Sequence, residues 1–316
     1  MRKFIAFLIA FILIIGIVGL RVWSRRTDEV RLAYPPIMAS LPVFVAEDQN
    51  LFSKAGIRAQ AISFSSSNDM VNALIAGQVD LLPAVSLVPL IHLEIQHPGS
   101  VRIFSHSKMR PQNSTYRIVV KSNSPIVTLK DLQGKKLGVF PGTSATRMLS
   151  AFLQKNGVDP QQVVFVQLPP SAQVSSLESG AIDALFAYDP LTLTAPPGQY
   201  RALSNSVYAE LIDPCPLGVS VVSRDFERRR PRAAAKAVGV VQLGIAYMAA
   251  HPDEVKALLP KFTKMAPEVA ARVNVSDITL SNDIDVASLQ RFIDLLYDIG
   301  EIRERIDARR LVDRTN

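Results

Sequence analysis

The stretch "KLGVFPGTSATRMLSAFLQKNG", residues 136–157, passes from a strand through a Pro-Gly turn into a helix that ends at Gly157. The apolar side chains of the helix recur at the spacing of a single helical face: Met148, Leu149, Phe152 and Leu153. A second strand, "VVFVQL" (163–168), a second helix and a third strand, "ALFAY" (184–188), follow. The apolar period thus alternates between that of a strand and that of a helix, which predicts a βαβαβ unit.

The first half of the chain has the same order of elements. It contains a strand "VRLAY" (30–34), a helix ending at Gly56, a strand "RAQAISF" (58–64), a second helix and a strand "LLPAV" (81–85). Each second helix is followed by a glycine and, three residues later, by Asp80 or Asp183. We interpret these aspartates as ends of helix-to-strand turns and not as a catalytic pair. The repeat predicts an α/β fold with two small parallel sheets, one in each of two lobes.

Two strand-like runs flank the second unit, "TYRIVVK" (115–121) and "LGVSVVS" (217–223). One leads in and the other leads out, so we predict that the second lobe is inserted into the first and that the lobes close about these runs. An amphipathic helix, "DVASLQRFIDLLYDIG" (285–300), is capped by Asp285 and completes the first lobe. The predicted ranges are 27–116 and 217–316 for lobe 1 and 117–216 for lobe 2.

An apolar segment runs from Phe4 to Leu20 and is preceded by Arg2 and Lys3. Its length suits either a signal sequence or a membrane-spanning helix. The residues after it contain neither an A-x-A cleavage site nor a cysteine for lipid attachment. We therefore predict that residues 1–26 are an uncleaved anchor, with a cleaved signal sequence as the alternative.

Composition and motifs exclude several classes of function. The net charge of +7 includes five arginines and lysines of the anchor, and no basic stripe with aromatic residues predicts a nucleic-acid partner. Nucleophile-elbow, zinc-protease, dinucleotide and phosphate-loop motifs are absent, the 4 histidines lack metal-ligand spacing, and Cys215 is the single cysteine. We predict neither a metal site nor a catalytic residue. The basic run 224–236 is either a solvated helix face or a surface that docks a partner.

Residues that favour helix N-caps follow the predicted strands: Ser40, Ser67 or Asn68, Ser86, Thr143 or Ser144, Ser171, and Asp189. They lie at the carboxyl ends of the strands, which is the edge where open α/β sheets bind ligands. Helix N-termini at this edge offer unpaired N–H groups and a partial positive charge. A helix N-cap is expected in any loop from a strand to a helix, so one cap alone does not indicate a ligand site. Because all of these caps lie at the carboxyl ends of strands, we predict a ligand site between the lobes.

The order and spacing of five stretches resemble the NMT1/SsuA-like branch of periplasmic substrate-binding proteins, which are the solute receptors of ABC transporters for sulfonate, nitrate and taurine. The branch also includes pyrimidine-precursor binders and synthases related to thiamine biosynthesis. The resemblance covers roughly residues 30–310. It rests on "VRLAYPPIMASLPVFVAEDQNLFSKAGI", "NALIAGQVDLL", "LKDLQGKKLGVFPGTSATRMLSAFLQKNGVDP", "SSLESGAIDALFAYDP" and "DPCPLGVSVVSRDF".

This resemblance implies a two-lobe periplasmic-binding-protein fold of type II, the Venus flytrap, which closes on a small molecule. It implies ligand contacts from the loops after the first three strands, from the helix start at 142–144 and from the end of "ALFAY": Pro36, Ala39, Ser40, Leu41, Ser65, Ser66, Ser67, Ala84, Val85, Ser86, Gly142, Thr143, Ser144, Tyr188 and Asp189. Thr143 and Ser144 would present hydroxyls and helix-start amides to a sulfonate or carboxylate. The loops supply few charges, so a neutral or zwitterionic ligand is the alternative.

Three classes of function follow from the sequence and the resemblance. The first is the substrate-binding component of an ABC-type importer, which hands a small ligand to a permease in the bacterial inner membrane. It would lie on the periplasmic side, anchored through residues 4–20, or free in the periplasm or secreted if that segment is cleaved. The second is a membrane-anchored ligand sensor, and the third is a thiamine-pyrimidine precursor binder or synthase. The anchor argues against the synthase. We predict the importer component, as a monomer without a cofactor.

Overall fold

The computed structural model describes residues 28–273, 275 and 280–312, so the predicted anchor lies outside the described residues. Its strands form two sheets. In chain order they are β1 (Asp28–Tyr34), β2 (Ile57–Ser63), β3 (Leu81–Ser86), β4 (Val101–Ser107), β5 (Tyr116–Lys121), β6 (Lys136–Val139), β7 (Val164–Gln167), β8 (Ala184–Tyr188), β9 (Tyr200–Ser204), β10 (Gly218–Ser223) and β11 (Leu280–Ser281). The strand orders are β11-β4-β10-β3-β1-β2 and β7-β6-β8-β5-β9.

Helices connect the strands in both halves. They are α1 (Leu41–Asp48), α2 (Leu51–Lys54), α3 (Ser67–Ile75), α4 (Leu87–Gln96), α5 (Thr143–Lys155), α6 (Pro170–Ser179), α7 (Val207–Leu211), α8 (Arg224–Arg229), α9 (Pro231–Ala250), α10 (Pro252–Val255), α11 (Leu258–Thr263), α12 (Pro267–Arg272), α13 (Val286–Asp298) and α14 (Arg309–Val312). Short 3₁₀ turns occupy Met38–Ser40, Pro111–Asn113, Leu129–Leu132, Pro160–Gln162 and Leu191–Thr194.

Each sheet is mixed and not wholly parallel, which corrects the sequence-based prediction. β1 pairs in parallel with β2 and β3, and β6 pairs in parallel with β7 and β8. β10 lies antiparallel between β3 and β4, and β5 lies antiparallel between β8 and β9. The reason is the connection: β5 enters the second sheet from the first, and β10 returns to the first from the second. Each of these two strands therefore runs antiparallel to the strands with which it pairs.

Apolar side chains cover both faces of each sheet, as the helix-strand repeat predicts. One face of the first sheet packs Leu32 against Phe226 and the α9 helix. A larger cluster holds the other face of the first sheet, α3, α4 and α13, and also one face of the second sheet with α5. The remaining face of the second sheet packs Leu185 against Leu177 of α6. One core cluster therefore spans both lobes.

The predicted elements are confirmed to within about two residues, but several predicted caps are wrong. Asp285 caps α13 as predicted, accepting from the Ser288 N–H at 3.0 Å. The residue before the first helical residue is Ser66 in α3, Gly142 in α5 and Pro169 in α6, and not Ser67, Thr143 or Ser171. Gly142 has φ +114°, which a side-chain-bearing residue rarely adopts. Asp189 precedes Pro190, which itself precedes the 3₁₀ turn.

Asp80 and Asp183 end helix-to-strand turns, each within its own sheet, as predicted. Asp80 accepts from the Arg31 amide at 2.9 Å and from its guanidinium at 2.8 Å. Asp183 accepts from the Lys136 amide at 2.8 Å. Because each carboxylate is committed to a neighbouring strand, the two do not form a catalytic pair.

The two connections between the sheets are themselves joined. Met109 and Cys215 form an isolated antiparallel bridge, in which the Met109 N–H donates at 3.2 Å and the Cys215 N–H donates at 2.7 Å. The crossings therefore lie in residues 108–115 and 205–217, just before the strands that the sequence analysis assigned to them. The lobe boundaries themselves stay a prediction.

One described helix, α9, is long and apolar enough to cross a membrane. Half of the most apolar 18-residue stretch of this helix is buried inside the protein. Its Ala237 and Val241 belong to the core under the first sheet. It also touches α1 closely, because a Cβ at Gly244 would lie 2.2 Å from the carbonyl oxygen of Pro42. This helix is thus part of the core of the first lobe.

Candidate ligand-binding site

A cavity of about 180 Å³ lies where the carboxyl ends of β1 and β3 meet the two crossings. The first lobe contributes the loop after β1, the β3 strand and the start of α3. Thr115, Tyr116 and Tyr188 enter from the second sheet and its incoming crossing. Both lobes therefore line the cavity, at the edge where the sequence predicts a ligand.

Six of the predicted ligand residues line this cavity: Ala39, Ser67, Ala84, Val85, Ser86 and Tyr188. Ala84, Val85 and Ser86 are the last three residues of β3, and Tyr188 is the last residue of β8. Ser67 and Ser86 are also joined directly, since the Ser86 N–H donates to the Ser67 hydroxyl at 3.1 Å. The loops after β2 and β3 are thus held together beside the cavity.

The other predicted residues of the first lobe lie outside the lining. Ser40 is fully buried and its hydroxyl donates to the Pro35 carbonyl at 2.6 Å, while Leu41 is buried in an apolar cluster. Ser66 caps α3 by accepting from the Asp69 N–H at 3.1 Å. Pro36 and Ser65 are exposed to solvent. Their roles in binding stay a prediction.

The helix start at Gly142, Thr143 and Ser144 also lies outside the cavity lining. Thr143 is exposed, and the Ser144 hydroxyl donates to the carboxylate of Glu301. The Gly142 N–H donates to the Gln167 side chain at 3.1 Å. The structure therefore places the protein's own carboxylate at the helix start for which the resemblance implies a ligand anion.

Asp189 immediately follows Tyr188 but points away from the cavity lining. Its carboxylate accepts from the Arg117 guanidinium at 2.7 Å and from the Thr192 hydroxyl. Arg117 also donates to the Asn205 side chain at 2.7 Å. Because only 8 % of Asp189 is exposed, this ion pair is partly desolvated and belongs to the second lobe.

The sequence analysis missed the lining residues of the crossings and of the strand ends beside them: Ser107, Met109, Thr115, Tyr116, Leu217 and Gly218. It also missed Pro35, Ile37, Pro83 and Val219, which neighbour predicted positions. The signal was available in the runs "TYRIVVK" and "LGVSVVS", because any segment that joins two lobes forms the floor of the cleft between them. N-cap chemistry does not detect such residues.

The serine and threonine hydroxyls that line the cavity differ in whether they already have a hydrogen-bond partner within the protein. Ser107 accepts from the Gly218 N–H at 3.0 Å and donates to the Cys215 carbonyl at 3.2 Å. Ser86 and Thr115 make no side-chain hydrogen bond to another described residue and face the cavity. Since buried polar groups normally have partners, these two hydroxyls are the groups most available to a ligand.

Aromatic rings form the wall on the side of the second lobe. Tyr116 lies 4.9 Å from Tyr188 and 4.7 Å from Tyr208, measured between ring centroids. Burial raises the pKa of all three phenols, so each stays protonated and neutral at physiological pH. The wall therefore offers ring faces and neutral phenols.

Among the described residues, no cysteine, histidine, lysine or carboxylate lines the cavity. Cys215 is fully buried behind it, and burial raises the pKa of its thiol to about 12. The thiolate, which is the nucleophilic form, is thus scarce at neutral pH. No cluster of three or more potential metal ligands occurs in the part of the chain that the structure describes.

The chain matches the family described as NMT1/THI5 like over residues 38–255. A protein of Bacillus subtilis (strain 168), provisionally named an aliphatic sulfonates-binding protein, is 25% identical over 100% of this chain and 96% of its own length. The taurine-binding periplasmic protein of Escherichia coli (strain K12) is 29% identical over 66% of this chain and 63% of its own length. Both relatives are named as binding proteins.

Solved structures share the fold. The periplasmic aliphatic sulphonate binding protein SsuA from Escherichia coli superposes with a TM-score of 0.75 at 20% identity, covering 90% of this chain and 97% of its own. The desulfurization enzyme DSZB superposes with a TM-score of 0.70 at 16% identity, covering 90% and 96%. The likeness confirms the predicted two-lobe fold, which binding proteins and an enzyme share.

Proposed function

The chain belongs to the NMT1/THI5-like family, and we propose that it is the substrate-binding component of an ABC-type importer. The observation that carries this proposal is the cavity that both lobes line at the carboxyl ends of their strands. A ligand there touches both lobes at once and so stabilises their closed arrangement. The names of the two relatives, which bind sulfonates or taurine, support capture of a small molecule.

The six predicted residues that line the cavity are the proposed ligand contacts. Ser86 offers a free hydroxyl, and Tyr188 offers a ring face from the opposite lobe. Predicted contacts outside the lining, such as Thr143 and Ser144, would reach a ligand only if the lobes rearranged. For Ser144 this means giving up the carboxylate of Glu301.

The proposed role is binding without chemistry. The described residues lining the cavity include no lysine, histidine, cysteine or carboxylate, so the serine hydroxyls of the lining have no adjacent general base to activate them as nucleophiles. A pyridoxal cofactor would need a lysine at this place. The fold shared with an enzyme does not by itself favour catalysis, because function depends on the site.

Closure is proposed to occur about the Met109–Cys215 bridge. The two crossings pass side by side there, and both contribute lining residues, so a change in their dihedral angles would move one lobe against the other. The closed form would then be recognised by a permease. Small-angle scattering of the chain with and without saturating ligand measures this, and equal dimensions would contradict closure.

Relatives of this chain are periplasmic binding proteins, which supports a periplasmic location. We propose further that the protein is a monomer held at the inner membrane by residues 4–20. Membranes washed in high salt should retain the protein, and its amino terminus should precede Phe4. N-terminal sequencing that begins after Leu20 would show instead that the segment is a cleaved signal.

A solute screen tests the binding function. Purified full-length protein in detergent is heated with sulfonates, taurine, nitrate, amino acids, carboxylates and pyrimidines, and its Tm is recorded. A ligand at 100 times its Kd adds about 2.7 kcal/mol to the free energy of unfolding. We expect at least one class to raise the Tm of the wild type.

A matched pair of variants tests whether the ligand binds in this cavity. Ala84→Leu fills the cavity and should abolish the rise in Tm, whereas Ala76→Leu adds the same atoms at an exposed position and should not. If no solute raises the Tm, or if Ala84→Leu responds like the wild type although it is folded, the proposed function is wrong.

A further inference from the structure

We propose that the ligand of this cavity is an uncharged organic molecule of about the size of one six-membered ring, an inference that rests on the proposed binding function. The cavity has a volume of about 180 Å³. An apolar cavity of about 150 Å³ is large enough to bind benzene. No charged side chain is among the described residues that line the cavity.

The cations that neighbour the lining in sequence are paired elsewhere. Lys108 lies between Ser107 and Met109, and its Nζ is 3.8 Å from the Asp283 carboxylate. Arg117 follows Tyr116, and its guanidinium binds Asp189 and Asn205. An anion in the cavity would therefore lose part of its hydration without gaining a counter-charge from the lining residues, which is unfavourable.

The α4 helix start beside the cavity has few amides to offer an anion. At α4 the Ser86 N–H donates to Ser67 and the Leu87 N–H donates to the Leu217 carbonyl at 2.8 Å, while Pro89 has no N–H. The first turn of α3 carries Asp69, whose negative charge opposes an anion. At α4 the backbone donors that often hold oxyanions are thus largely committed within the protein.

The α5 start, with its exposed amides, lies outside the cavity and already faces a carboxylate. Ser144 donates to Glu301, and the Arg147 Nε lies 3.4 Å from the same carboxylate. A second anion at this place would meet the negative charge of Glu301. The charge pattern therefore disfavours an anionic ligand both inside the cavity and at this helix start.

A neutral ligand finds suitable partners. The free hydroxyls of Ser86 and Thr115 can each donate to or accept from one neutral polar group. Tyr116, Tyr188 and Met109 supply ring and thioether contacts to an apolar body. These features together indicate a single ring or a short alkyl body that carries one neutral hydrogen-bonding group.

Benzenesulfonamide and benzenesulfonate test this inference, because they have almost the same shape and differ in charge at pH 7.5. Calorimetric titration into full-length protein in detergent should give a Kd at least about tenfold lower for the sulfonamide. Benzamide should likewise bind more tightly than benzoate. A benzenesulfonate or benzoate Kd equal to or below that of its neutral partner would overturn the inference.

Two cavity variants test whether the neutral probe binds in the cavity. Ala39→Leu should abolish its binding by filling the cavity, and Ser86→Ala should weaken it about tenfold by removing a hydroxyl. The exposed substitutions Ala76→Leu and Ser53→Ala are the controls and should bind like the wild type. Circular dichroism confirms that all four fold. Wild-type affinity in both cavity variants would place the probe elsewhere and overturn the inference.

The outcomes separate this inference from the proposed function. If an aliphatic sulfonate or nitrate raises the Tm and neither neutral probe binds, the importer role stands and the inference on ligand class is wrong. If neither the probes nor any solute of the screen binds, both are wrong. Binding of the neutral probes alone supports both.

Discussion

The Ser144 hydroxyl donates a hydrogen bond to the carboxylate of Glu301, 157 residues away in the chain. Ser144 lies in the first turn of α5, and Glu301 follows α13. The same carboxylate lies 3.4 Å from the Arg147 Nε and 3.4 Å from the His92 Nε2. Only 5% of the Glu301 side chain is exposed, so loss of one of these partners would leave a buried carboxylate with fewer polar contacts.

Replacing Ser144 with alanine should destabilise the protein. A hydrogen bond to a charged group contributes about 1.5–3 kcal/mol, and Glu301 would keep its longer contacts with Arg147 and His92. Urea unfolding measures the loss. Thr143→Ala is the control, because Thr143 is exposed and its substitution should change the free energy of unfolding much less.

A double variant, Thr143→Ala with Ser144→Ala, tests whether this helix start also contacts the ligand. The sequence-based prediction requires that replacing Thr143 and Ser144 together raises the Kd about tenfold or more, since two hydroxyl bonds are lost. Calorimetry on the folded double variant measures this, using whichever ligand the screen identifies. An unchanged Kd would leave Ser144 with a structural role alone.

Gly244→Ala should disrupt the contact between α9 and α1. The added Cβ would lie 2.2 Å from the carbonyl oxygen of Pro42 and 2.9 Å from its carbonyl carbon, so one helix must move. Overpacking of this kind costs about 1–3 kcal/mol. We expect a lower Tm.

Gly239→Ala, in the same helix, is the matched control. Apart from its chain neighbours and the backbone of its own helix, no atom of the described residues lies within 4 Å of its added Cβ, so the substitution should stabilise the protein by up to about 1 kcal/mol through helix propensity. Equal effects of the two substitutions on the Tm would show that α1 and α9 do not touch as described.

The His106 imidazole should make stability depend on pH. It is fully buried, accepts from the Asp285 N–H at 2.9 Å and therefore donates from Nδ1 to the Ser107 carbonyl at 2.7 Å. Burial lowers its pKa from the ordinary 6.5, an effect that Lys108 reinforces and Asp285 opposes. The unfolded chain then binds the proton more readily, so stability falls as pH drops below about 6.5.

Tm measurements between pH 5 and pH 8 test this dependence. His106→Gln keeps an acceptor for the Asp285 N–H and should flatten the profile, whereas His251→Gln, at an exposed position, should not. The Asp285 carboxylate does not titrate between pH 5 and pH 8, because its pKa is lowered from the ordinary 3.8. An unaltered slope in His106→Gln would contradict the assignment.

Cys215 should resist thiol reagents in the native protein. Its side chain is fully buried, and burial raises the pKa of the thiol to about 12. Because it is the single cysteine, mass spectrometry after treatment with iodoacetamide at pH 8 reports on it alone. We expect slow labelling that accelerates in urea, and rapid labelling without denaturant would mean that the crossing is open in solution.

Much of the fold follows from local patterns. Gly56 and Gly157 were predicted to end helices in a left-handed conformation, and both have φ +72°. Each is detectable because only glycine adopts that conformation without strain. The strands and helices were also predictable, since their apolar periods reflect the burial of one face or both.

The candidate site was predictable only in part. The loops after β1 and β3 were found because ligand edges follow from strand direction. Thr115, Tyr116 and Met109 were not, because their place in the lining depends on how two distant crossings pair through Met109 and Cys215. Cap chemistry also misplaced the starts of α3, α5 and α6, where neighbouring residues compete for one position.

By itself, the sequence determined the α/β repeat, the order of its elements, the turn glycines and the family, because each depends on short-range spacing of side chains or on its repetition. Only the tertiary structure decided that β5 and β10 run antiparallel in their sheets and that the cavity is lined by neutral residues. It also decided that Ser144 meets Glu301, 157 residues away. Contacts of that range depend on how separately formed elements pack, and no local pattern of side chains encodes them.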